Sequence, residues 1–162
     1  MGMHIELERS ELAPGDAVLR QAVCADIAGM HRVRLSVREN VLLSAIDEAD
    51  YASSIEVTGR GWVIEVDGAI VAFAVGNAQD GNIWALFVAP EHERRGYGRR
   101  LHDVMVSWLF KQGVEPLWLT TSQGTRAQKF YQAAGWQLRR IEPNGEVRYE
   151  LRASDAALPA CG

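Results

Sequence analysis

The chain has 162 residues, 48% of them hydrophobic, and a formal net charge of -4. This is enough for one domain with a buried core, and the acidic balance excludes a protein that holds nucleic acid through a broad cationic face. No apolar run is long enough to span a bilayer. Met1 to Ala13 carries Glu6, Glu8 and Glu11, which is unlike a secretory leader, so a cytoplasmic, single-domain protein over residues 1–152 with a loose tail from Ala153 to Gly162 is expected.

In chain order, Ile5 and Leu7 alternate with Glu6 and Glu8, which predicts an opening strand, and Pro14-Gly15-Asp16 predicts a turn and a helix cap. Leu19, Val23, Ile27, Met30 and Val37 then share one helical face. Cys24 falls among them and reads as a small buried thiol, while Cys161 lies in the tail, so no disulfide is expected. His31 and Arg34 on this stretch face either a substrate groove or solvent. A helix break at Arg38-Glu39-Asn40, a capping box over Ser44 to Asp47, and Ile46, Tyr51 and Ile55 predict a second, shorter helix before Thr58-Gly59.

From Arg60 the period becomes that of a strand. Asp67-Gly68 between two apolar runs is a hairpin signal that pairs Trp62 to Val66 with Ile70 to Val75, and Ile83 to Val88 adds a third meander strand. After Pro90 comes a glycine-containing turn, Glu93-Arg94-Arg95-Gly96-Tyr97-Gly98, and then Leu101, Val104, Met105, Trp108 and Leu109 at helical spacing. Helix-opening amides lack partners inside the helix and favour an anion, and Arg94, Arg95, Arg99 and Arg100 add four cations beside them. A phosphate or pyrophosphate suits this turn, although a tight structural turn would use the same glycines. Neither a third Rossmann glycine nor a P-loop lysine is present. Leu117 to Thr120 predicts a strand reached by a parallel crossover, Thr125 to Ala134 a helix ended by Gly135, and Trp136 to Ile141 with Val147 to Leu151 a last hairpin.

Two of these segments carry a resemblance. Val88, Pro90 and Glu93 to Gly98 resemble the coenzyme A loop of the Gcn5-related N-acetyltransferase (GNAT) family, with Glu93 where the family has Gln or Arg. Ala127, Tyr131, Gly135 and Trp136 keep the spacing of that family's second motif, with Gly124 at its Asn position. The order of elements over essentially the whole chain is similar to the family's.

The resemblance implies an α/β (α+β) GNAT fold: a mixed central sheet of six to seven strands splayed at the acetyl-CoA site, with about four helices. It implies an N-acetyltransferase that moves an acetyl group from acetyl-CoA directly to an amine. Leu86, Phe87 and Val88 would hold the pantetheine arm and thioester through their backbone, and Arg94, Arg95, Gly96, Tyr97, Gly98 and Arg99 the pyrophosphate. Tyr131 would be the general acid to the departing thiolate. No metal is called for. The acceptor, a small-molecule or peptide amine, falls by location near His31, Arg34, Glu39, Asn40, Trp84 or Trp136, of which both tryptophans also suit a core. Glu65 and Glu39 are the carboxylates considered as bases, and neither is assigned. A homodimer is compatible with the family, and neither nucleic acid nor membrane is expected as a partner. The alternative from another class is a non-catalytic acyl-CoA-binding module. A toxin acetylating charged transfer RNA is disfavoured by the lack of a basic face.

Overall fold

The computed structural model describes residues 15–37 and 46–156. The strand expected at Ile5 to Leu7, the capping Ser44, and Glu39, Asn40 and Cys161 lie outside the described residues. The chain runs β1 (Ala17–Gln21), α1 (Ile27–Ser36), α2 (Glu48–Glu56), β2 (Gly59–Val66), β3 (Ala69–Asn77), β4 (Ile83–Val88), α3 (Tyr97–Lys111), β5 (Leu117–Thr121), α4 (Arg126–Ala133), β6 (Gln137–Ile141) and β7 (Val147–Leu151).

β1 to β4 form an antiparallel sheet in that order, and β5, β7 and β6 form a second one. The β2–β3 turn has Asp67 and Gly68 both at positive φ, 51° and 80°, as the two-residue hairpin requires. α3 lays Leu101, Met105 and Leu109, all fully buried, against one face of the first sheet, together with Trp62, Ile64 and Tyr97. Burial of each such side chain is worth about 1.5–3 kcal/mol. α1 and α2 cover the other face through Met30, Val33, Tyr51 and Ile55, packed on Val63, Phe73 and Val75. α2 opens on a capping box, though one residue pair differs from expectation. Asp47 accepts from the Asp50 amide at 3.0 Å and its own amide donates to the Asp50 carboxylate at 2.9 Å.

The helix expected from Leu19 onward is corrected. Ala17–Gln21 is a strand, registered antiparallel from Ala17 opposite Val66 to Gln21 opposite Trp62, and α1 starts only at Ile27. Leu19, Val23 and Ile27 stand four apart, but the free backbone edge of β2 supplies hydrogen bonds that an i,i+4 pattern cannot anticipate. Arg20 then spans the junction, donating to both Asp26 oxygens at 2.8 Å and to Glu65 through Nε at 2.9 Å. Glu65 is thereby a structural partner of Arg20. Cys24, between strand and helix, is exposed rather than buried, with its thiol 2.8 Å from a Glu56 oxygen. The tail also departs from expectation at its start: Ala153–Asp155 is a 3-10 turn whose Asp155 carbonyl lies against Gly135.

The two sheets meet at one parallel bridge, Asn82 to Trp118. There the Trp118 amide donates to the Gly81 carbonyl at 3.0 Å, its indole Nε1 to the Asp80 carbonyl at 3.0 Å, and Asn82 Nδ2 to the Trp118 carbonyl at 3.4 Å. Beyond the bridge β4 and β5 diverge, so the two antiparallel sheets, joined in parallel at this one point, are splayed apart. Gly81 permits the clamp, because its φ is +80° and a Cβ would sit 2.8 Å from the Pro116 carbonyl oxygen. Gly81→Ala is expected to destabilise the fold by about 2 kcal/mol, summing backbone strain and this contact, as read from urea unfolding.

Candidate active site

Where β4 and β5 part, a cavity of about 550 Å³ opens. One wall is β4, from Ile83 to Val88, paired on its far side with β3. The facing wall is Leu119, Thr120, Thr121 and Ser122 from β5 and its exit, with Ala127, Phe130 and Tyr131 of α4. Leu86, Phe87 and Val88 therefore stand where the sequence places them, on a strand edge that has lost its neighbour. The edge opens because of an irregularity: Val75 pairs with Ala85 and Gly76 with Ile83, which leaves Trp84 as an extra residue. Such a bulge bends the strand and re-aims a side chain. Trp84 packs with Ala85 and Phe87 toward α1 and α2, its ring 5.2 Å from that of Tyr51, and also lines the cavity.

The glycine turn stands beside the cavity. Arg94 and Gly96 have positive φ, 65° and 81°, and Gly96 is the N-cap of α3 with no side-chain capping bond. Left-handed residues interrupting ordinary backbone are the arrangement in which successive amides form an anion-binding concavity, reinforced here by the helix dipole. Gly98 lines the cavity, and a Cβ there would touch Val88 and Phe130 at 3.6 and 3.7 Å. Arg94 and Arg95 are exposed at the opening. Arg99 donates to Asp103 at 3.0 Å, and the buried Tyr97 ring stacks on His92, so Tyr97 offers its amide rather than its phenol. Glu93 is held by Arg126, which donates from both terminal nitrogens to the two carboxylate oxygens at 2.6 and 2.7 Å. Gly124, at the other departure from the family pattern, has φ +75°, a region that Asn also tolerates.

Tyr131 is buried against Phe130 and Trp136, with ring centroids 5.2 and 5.5 Å away, and it lines the cavity. Burial pushes its phenol well above the ordinary tyrosine range, so it stays protonated. Phe130 lines the cavity as well. Trp136 is core. Its indole Nε1 donates to His102 Nε2 at 2.9 Å, so Nε2 carries no proton and Nδ1 donates to Asp103 at 2.8 Å. His31 lies off this cavity, its Nδ1 2.9 Å from the Tyr51 hydroxyl. Arg34 does reach it.

Sequence reasoning missed Glu146 and Arg126 as cavity residues. Glu146 sits in the β6–β7 turn, and nothing local announces that this turn folds back over the cavity. Arg126 did carry a signal, since a cation in the first turn of a helix opposes the dipole and calls for another partner.

The sequence model of the acetyltransferase (GNAT) family matches residues 23–136. No curated protein matches the sequence with significance. Among solved structures, PaiA N-acetyltransferase of Thermoplasma acidophilum, in complex with coenzyme A, superposes with a TM-score of 0.72 at 12% identity over 85% of this chain and 99% of that one. The Salmonella typhimurium protein yncA, solved with acetyl-CoA, gives 0.72 at 15% identity over 91% and 99%. The ribosomal-protein-S18-alanine N-acetyltransferase of Escherichia coli gives 0.69 at 18% identity over 84% and 93%. No helix among the described residues is long and apolar enough to cross a membrane.

His102 supplies a pH test of the wall that holds Tyr131. Burial lowers its pKa below the ordinary value near 6.5, with Asp103 opposing. Between the two values the unfolded chain binds the extra proton, so stability is lost as pH falls below about 6.5. Urea unfolding at pH 7.5, 6.5 and 5.5 is expected to show this loss, with a slope of at most about 1.4 kcal/mol per pH unit from this group, and His102→Gln to flatten it. With its matched sequence segment, its splayed sheet and its glycine turn, the chain belongs to the acetyltransferase (GNAT) family.

Proposed function

We propose that the protein transfers an acetyl group from acetyl-CoA directly to an amine, with Tyr131 as general acid. One observation carries this reading: a phenol kept protonated by burial stands on the wall of the cavity that opens along the free edge of β4. The residues present fit the cosubstrate. The backbone at Leu86 to Val88 can pair with the amides of a pantetheine arm as a further strand would, and the α3 opening from Arg94 to Arg99 can take a pyrophosphate.

The amine nitrogen attacks the thioester carbonyl carbon, and backbone donors near Val88 stabilise the oxyanion. The carbon–sulfur bond then breaks, Tyr131 gives its proton to the thiolate, and the excess proton on the acylated nitrogen passes back to the Tyr131 oxygen, directly or through water, which leaves a neutral amide and a neutral phenol. The attacking ammonium must first lose a proton. Two carboxylates line the cavity among the described residues, Glu93 and Glu146. Arg126 engages Glu93, which leaves Glu146 to accept that proton, directly or through water.

Tyr131→Phe is the test. With any amine that the wild type acetylates, the variant is expected to lose about 10²-fold in kcat, while calorimetry gives an unchanged Kd for acetyl-CoA. Unchanged kcat would remove Tyr131 from proton transfer. Binding of acetyl-CoA without turnover of any amine would favour the acyl-CoA-binding module.

A further inference from the structure

Arg34 occupies the last turn of α1, and its guanidinium carbon lies 5.3 Å from the Trp84 ring centroid and 5.1 Å from that of Phe87. The cation lies over both rings, and Trp84 is the extra residue of the bulge in β4. Its Nε and Nη1 are buried, and among the described residues neither has a hydrogen-bond partner. Nor does any described carboxylate pair with it. The Tyr51 hydroxyl, which also meets His31 Nδ1, lies within side-chain hydrogen-bonding range of the guanidinium, but as a neutral phenol it leaves the cation's charge unbalanced.

A half-buried cation with no described carboxylate beside it carries a charge that its neutral neighbours do not offset. Here the same side chain lines the cavity. A guanidinium held over two rings while its side chain lines the cavity is a positioned cation, and a guanidinium binds an oxyanion through charge-assisted hydrogen bonds. Phe87 belongs to the stretch proposed to hold the thioester, so an anion at Arg34 lies toward the reacting end of the cavity rather than toward the arginines of the glycine turn. Glu146 offers the opposite charge on the same lining.

We infer that the acceptor is an amine that also bears an oxyanion, in the manner of an amino acid, and that Arg34 selects it by binding that oxyanion. The inference rests on the acetyl-transfer reading and adds the chemical class of the acceptor. A carboxylate, a phosphonate and a sulfonate share the required chemistry. Arg34 is a specificity residue here, since it handles no reacting atom.

The test uses matched pairs of amines: alanine with ethylamine, phenylalanine with phenethylamine, and ethylamine again with aminoethylphosphonate and taurine. Each is assayed for coenzyme A release by the full-length wild type, Arg34→Gln and Arg34→Lys. The oxyanion-bearing member of at least one pair is expected to have kcat/KM about tenfold or more above its partner. Arg34→Gln should abolish that preference through KM while leaving the plain amine unchanged, and Arg34→Lys should restore part of it. The preferred oxyanion identifies the class. Titration of each variant with acetyl-CoA, expected to match the wild type, reports that the fold is intact. Plain amines used as well as or better than their partners, or Arg34→Gln lowering both members equally, would overturn the inference while leaving acetyl transfer standing. Absence of acetyl-CoA binding by the wild type would overturn the acetyl-transfer reading, and this inference with it.

Discussion

The structure depends on a clamp at one end of two strands. β4 and β5 are held together at Gly81, Asn82 and Trp118 and nowhere further along as strands. A sheet paired along its whole length would have no cavity here, and one unpaired throughout would leave the two halves without a shared floor. One bridge gives both halves a fixed origin and lets them open. The unpaired edge of β4 and the buried face of α4 then confront each other across that opening. Backbone groups cannot stay unpaired in a dry interior without cost, so an exposed edge of this kind suits a ligand that supplies amide-like partners.

Much of this was legible because its signals are local. Asp67-Gly68 is a turn by its own backbone preferences, Gly135 ends α4 with φ +98°, and the spacing of Leu101, Met105 and Leu109 is that of α3. β1 was not legible. Its hydrogen bonds run to β2, some 45 residues away at Arg20 and Glu65, while the local spacing of Leu19, Val23 and Ile27 matches a helix. Burial of Cys24 was inferred from that same helix and failed with it. At the site, the chain positions of Tyr131, Gly98 and Leu86 to Val88 could be read from motifs. Arg34, Trp84 and Trp136 were equal candidates by location, and packing separated them. The bulge turned Trp84 to the cavity, whereas His102 captured the Trp136 indole in the core.

Charge is distributed unevenly around the cavity in a way that net charge conceals. At the glycine turn, exposed arginines surround a helix opening, and Glu93 and Arg126 satisfy each other through paired hydrogen bonds. An exposed pair of this sort contributes little to stability, and in the mechanism proposed above it keeps Glu93 engaged. Deeper, Arg34 and Glu146 stand on the lining without a comparable mutual arrangement among the described residues. The cavity is thus cationic at its opening and carries both signs inside, which suits the polyanionic donor and charged acceptor proposed above.

The central claim is that the free edge of β4 and the first amides of α3 receive acetyl-CoA. Amide hydrogen exchange, followed residue by residue with and without saturating acetyl-CoA, tests it most directly. The account predicts that exchange slows by about tenfold or more at amides within residues 86–88 and 97–99, while the β2–β3 hairpin turn at Asp67 and Gly68 is unaffected. Bound coenzyme that leaves both stretches exchanging at their original rates would contradict it.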